Sequence, residues 1–189
     1  MLKSPAPTEP SSQIPRPRTL IHPGQFNPVR IQSMHSESGR HIRLSLMPGL
    51  SLFDALVRPL AVIGVKNAST TILGGFFEEL HYCVARPDPS RHAVVAYSHP
   101  IHAGRAYMVF GNATVGKGLG GGPLVHCHAA IRTEVGEMKG GHIITQSSIV
   151  GPEPISVLVV SLDGFELRVT FDPETNIPLL QPHEETRDE

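Results

Sequence analysis

Polar and apolar residues alternate through HIRLSL, residues 41–46, which places Ile42, Leu44 and Leu46 on one face of a strand that Pro48-Gly49 then ends. The period changes after that. Leu52, Ala55, Leu56, Leu60 and Ile63 keep helical spacing, and Ser51 with Asp54 three places on forms a capping box, so a helix starts there. Pro59 lies inside this pattern and predicts a kink or a 3₁₀ finish. Beyond Gly64 the text becomes β: ASTTILGG, ELHYCVAR, HAVVAYS, GRAYMVFGNATV, PLVHCHAAIRT, GGHIITQSSIV, PISVLVVSL and GFELRVTF, separated by Gly, Pro and Asp turns. About eight strands and one helix predict an α+β fold, a mainly antiparallel sheet with the helix packed on one face.

Composition narrows the class. A chain of 189 residues, 40% hydrophobic and 17% charged, has the length and balance for one well-buried domain. It has no apolar run of about 20 residues, so no membrane span is expected. The first residues, MLKSPAPTEPSSQIPRPR, lack the apolar stretch of a secretory signal and are rich in proline, which predicts a disordered leader over 1–24 and a cytoplasmic protein. The domain then spans 25–182, and HEETRDE, 183–189, reads as an acidic tail. In a reducing compartment Cys83 and Cys127 are expected as free thiols. A net charge of -1 offers no basic surface of the kind that releases counterions from nucleic-acid phosphates.

The chemistry concentrates in PLVHCHAAIRTEVGEMKGGHII, 123–144, where two apolar runs flank a glycine-bearing polar stretch and so form a hairpin. Strand alternation puts His126 and His128 on one face and Cys127 on the other. A pivot near Val135 pairs residues whose numbers sum to about 270, which sets His142 opposite His128 with Cβ atoms roughly 5 Å apart. Three imidazoles on one patch are the donor set of a divalent metal site with a fourth position open, zinc first among candidates. A packed, pH-sensitive histidine cluster is the structural alternative. Gly140 and Gly141 would let backbone approach closely beside His142. The other eight histidines show no such spacing, although His99 and His102 lie beside a turn.

The pair His126-Cys127-His128, followed after the hairpin by Gly140-Gly141-His142, resembles the core pattern of the plant and prokaryote conserved (PPC) family, found beside AT-hooks in plants and alone in bacteria. From Ile42 to about Leu180 the leading strand, the Pro-Gly, the helix and GRAYMVFGNATVGKGLGGGP also follow the family's order. The resemblance implies a homotrimer, a metal on the three histidines near a subunit boundary, and a DNA-binding or regulatory role. Two departures bear on this. Ala106-Tyr107 stands where the family often has Phe-Glu, which leaves Glu134, Glu137 and Glu166 as replacements for an acid/base group. Pro17 stands where an AT-hook needs glycine, so DNA rests on the resemblance alone.

Other motifs fail on context. GNATVGK lacks the Ser or Thr of a phosphate loop, and a strand rather than a helix follows both it and Gly116-x-Gly118-x-x-Gly121. Gly120, His126, His128 and Glu134 approximate the first cupin motif with the glutamate one or two positions late, but the second cupin motif, with a Pro-x-Gly before its histidine, is missing. Cys127, across the strand from the imidazoles, has no base to activate it. Two functions stay open: a DNA-binding or regulatory PPC module with a three-histidine metal site, and a small zinc-dependent metalloenzyme acting on a small carbonyl metabolite, since the fold resembles that of acetolactate decarboxylase.

Overall fold

The computed structural model describes residues 20–29 and 32–184 of the chain. β1 (His41–Leu46) turns Ile42, Leu44 and Leu46 inward and leads into α1 (Leu52–Val62). Ser51 Oγ accepts the Asp54 N–H at 3.0 Å, satisfying one of the donors a helix start leaves unpaired. The helix runs through Pro59 and ends at Gly64 in a Schellman motif rather than a 3₁₀ turn. Gly64, at φ 70°, donates to Ala61 O at 3.0 Å, and Val65 donates to Leu60 O at 2.8 Å. Burial of Leu60, just past the proline, helps offset the hydrogen bond that proline cannot make.

The remaining elements are β2 (Ala68–Ile72), β3 (Gly75–Cys83), β4 (Ala85–Pro87), β5 (Val95–Tyr97), β6 (Ile101–Lys117), β7 (Pro123–Thr133), β8 (Met138–Ile143), β9 (Ile149–Val150), β10 (Ile155–Ser161), β11 (Phe165–Asp172) and β12 (Ile177–Glu184). β6 organises them. One edge pairs first with β3 and then with β2, while the other pairs with β7 along its length. β7 pairs β8 and β8 pairs β3, so β6, β7, β8 and β3 close on one another, which removes free edges there. β1 and β10 extend the sheet from β2, and α1 lays Leu52, Ala55, Leu56 and Leu60 into the core beside Phe77, Met108 and Ile131. Mostly antiparallel sheet with one packed helix is the expected α+β architecture.

Two boundaries move. β12 was not expected, because Pro178 and Pro182 argue against a strand interior. It pairs only with β11, and an edge strand tolerates proline. This strand takes in His183 and Glu184 from the segment read as an acidic tail. At the other end residues 1–19 of the expected leader lie outside the described residues, but His22 Nδ1 meets Glu174 Oε1 at 2.7 Å and Gly24 donates to Glu174 O at 2.9 Å. The nearly buried Glu174 carboxylate draws this segment onto the domain.

Replacing Ser51 with Ala should lower the unfolding free energy by about 1 kcal/mol, shifting the urea midpoint without changing the slope of the transition.

Candidate metal centre

In β7 every second side chain, Val125, Cys127 and Ile131 among them, enters the core, and His126 and His128 point to the other face. His128 stands opposite His142 in the β7–β8 ladder, the register expected from the pivot near Val135. Gly140 and Gly141 make this possible by close approach: a Cβ at Gly140 would lie 2.7 Å from Ala129 O, and one at Gly141 would lie 2.4 Å from Cys83 O. β8 is thus held tightly between β7 and β3.

The three rings converge, with centroids 4.9 Å apart for His126 and His128, 4.7 Å for His126 and His142, and 5.4 Å for His128 and His142. Their ligand atoms lie within 4.8 Å of one another. Tetrahedral zinc with Zn–N of about 2.0–2.1 Å needs nitrogens about 3.3 Å apart, a contraction that modest side-chain rotation supplies. Burial, and then the neighbouring His142 and His128, push the His126 pKa down to about 4, and burial lowers that of His142 as well. Both imidazoles are therefore neutral near pH 7 and available as donors. His142 Nδ1 is buried without a hydrogen-bond partner. A buried polar atom without a partner is costly, and a cation or its second shell would satisfy it. The donor set fits a divalent metal.

The centre lies beside a cleft of about 900 Å³ to which His126, Tyr97, Thr114, the β11–β12 hairpin and the segment around His22 all contribute. Tyr97 stands 5.8 Å from His142 between ring centroids. Neither the cleft nor Tyr97 was foreseen, since both depend on contacts remote in sequence.

No family model matches the sequence, and no curated protein matches it. Solved structures do. A metal-containing protein from Archaeoglobus fulgidus superposes with a TM-score of 0.65 at 20% identity, over 79% of this chain and 99% of its own. A PPC protein from Pyrococcus horikoshii gives 0.58 at 16% identity, over 82% and 99%. A protein from Ralstonia eutropha JMP134, named a candidate DNA-binding protein, gives 0.56 at 20% identity, over 78% and 93%. The fold is PPC-like.

The PPC-like frame places the remaining residues weighed above. Ala106 is buried in the core, and Tyr107 packs edge-on against Phe76 with centroids 4.9 Å apart, so no carboxylate stands at that position. Glu137 pairs with Lys139 at 3.0 Å beside the hairpin turn, roughly 16 Å along the strand from His142. Glu166 is buried against Lys117 at 2.7 Å and against Arg168, which hold its carboxyl below the usual range. Neither is a free acid or base. Burial pushes the Cys127 thiol up to about 12, in keeping with an inert core residue. The structure also assembles a group the sequence did not reveal, Glu79, His81 and His102. His102 was noted for its turn, but its partner His81 was passed over.

In the metal-free protein His126 binds a proton in the unfolded chain near 6.5 and in the folded one near 4. The unfolded state thus holds more protons between these values, and stability should fall as pH drops through that window. Chemical denaturation of wild type and His126→Ala checks this: the variant's pH profile should be flatter from about pH 6.5 to 4.

Proposed function

We propose that the chain is a regulatory PPC-like module built around one divalent metal, with zinc as the best match to three imidazole donors, and that it works as a cytoplasmic homotrimer. The observation that carries this is the convergence of His126, His128 and His142, the first and last kept neutral by burial, around an Nδ1 that has no hydrogen-bond partner among the described residues. The neighbour called metal-containing supports it. A cation held there would act as a Lewis acid toward a ligand at its fourth position. The chain itself supplies the cleft that admits such a ligand past His126 and Tyr97.

Trimer formation is supported by half-exposed Phe76, Tyr107, Val109 and Phe110 on β3 and β6 and by the edges of β1 and β12, which no strand among the described residues pairs. One buried cluster joins the helix to the sheet, which supports reading the folded part as a single domain. Regulation is preferred to catalysis because Glu137 and Glu166 are held in ion pairs and Glu134 lies in the exposed hairpin turn, roughly 20 Å along β7 from His128. The size of the cleft is what favours the second reading, a zinc-dependent enzyme for a small carbonyl compound. Two neighbours' names point to DNA, but Arg105 is paired with Glu78 and Lys139 with Glu137. We therefore assign the regulatory contact to a ligand or protein rather than to a duplex.

Protein purified without an affinity tag and equilibrated with zinc should lose one equivalent per chain when His128 is changed to Ala. An unchanged zinc content in this variant would sink the metal reading. Light scattering should give three times the 20.4 kDa chain mass, and a concentration-independent monomer would rule out the trimer. Labelled duplex titrated at two salt concentrations should bind no better than micromolar, while submicromolar binding with a steep salt slope would move the contact to DNA.

A further inference from the structure

We infer that Glu79, His81 and His102 form a second divalent-cation site, independent of the three-histidine centre and different in chemistry. Its frame is the β3–β6 ladder. His81 stands directly opposite His102 in register, and Glu79 precedes His81 by two positions on β3, where the ladder is irregular around Leu80. The ligand atoms of all three lie within 4.8 Å of one another. The imidazoles stack with centroids 4.7 Å apart, and His102 Nε2 is in contact with Glu79 Oε2.

The surroundings of His81 support a ligand role. Its Nδ1 lies 3.1 Å from Ser147 O, and a carbonyl can only accept, so Nδ1 carries the hydrogen and Nε2 is left with its lone pair. Fixing one ring nitrogen on a backbone carbonyl is how proteins orient a metal-binding histidine. The backbone there is anchored as well. His81 N–H donates to Ser148 Oγ at 3.1 Å, and its carbonyl accepts from Ile144 N–H at 2.9 Å. The ligand that sets the geometry is therefore rigid. Glu79 and His102 are about half exposed, which leaves them free to close on an ion and leaves coordination positions open to water.

Two imidazoles and one carboxylate are a set used by zinc and by divalent iron, nickel or copper. A cation here would come between His102 Nε2 and Glu79 Oε2, which are now in direct contact. The carboxylate gives the site a charge of its own, whereas the first centre is a neutral donor set. Loaded with the same ion, it carries one unit less positive charge.

Zinc ion is the probe, with equilibrium dialysis of the full chain and metal analysis as readout. Wild type should bind two equivalents at saturation, and His81→Ala should bind one. Glu79→Gln, a half-exposed change that spares the fold, should keep the first equivalent and weaken the second by about tenfold or more. His128→Ala should lose only the other equivalent, so failure of the first centre shows in that variant alone. Circular dichroism confirms that each variant is folded. Two equivalents retained in folded His81→Ala, or a single equivalent in wild type that His128→Ala abolishes, would overturn the second site.

Discussion

The register between β7 and β8 is the constraint on which the rest depends. Side chains alternate with a period of two, so the pairing that puts His128 opposite His142 also sends Cys127, Ile131 and Ile143 into the core. A slip of one residue would bury imidazoles and expose the thiol. The two glycines before His142 hold the register from both sides, since Ala129 O and Cys83 O stand where their side chains would be. No other residue allows β8 to sit that close to both neighbours, so the sequence that specifies the hairpin also specifies the donor set.

The two histidine groups show how one side chain serves in two electrostatic settings. At the first centre, burial and mutual proximity disfavour the charged form, and two of the three rings shed their protons well before neutral pH. At the second group, solvent and a carboxylate surround His102, and the favourable contact is with Glu79. A cation competing for the first meets neutral ligands in a partly desolvated pocket. At the second it would have to part a contact between two half-exposed side chains, one of them a carboxylate. The first favours a borderline cation that suits nitrogen, and the second admits harder ions as well.

What could be read from the sequence was what depends on local period. Alternation in His126-Cys127-His128, the turn centred on Val135, the Ser51 cap and the strand at 41–46 all follow from residues within one element or one hairpin. What could not be read depends on pairing between distant segments. His81 meets His102 across 20 intervening residues and an irregular ladder, and Tyr97 reaches His142 only after β3 and β8 have joined. β12 was hidden by two prolines whose cost vanishes at an edge. The contacts of His22 and Gly24 were hidden because composition predicts a loose leader without revealing where Glu174 lies.

The pairing of charges bears on the proposed contact more directly than the net charge does. Phosphate binding gains its free energy by releasing counterions, which requires cations not already neutralised by the protein. Here Arg105 meets Glu78 at 2.6 Å, Lys139 meets Glu137 at 3.0 Å, and Lys117 with Arg168 closes on Glu166. A phosphate approaching these residues would have to displace a carboxylate already in contact, giving up much of the gain. Symmetric assembly would multiply such pairs without unpairing them, because each carboxylate belongs to the same chain as its cation. These four cations hold the sheet's own surface and the β11 strand. Among the described residues the buried nitrogen of His142 is one polar atom left without a partner at the histidine cluster, and a metal or a polar ligand would satisfy it more directly than a phosphate backbone.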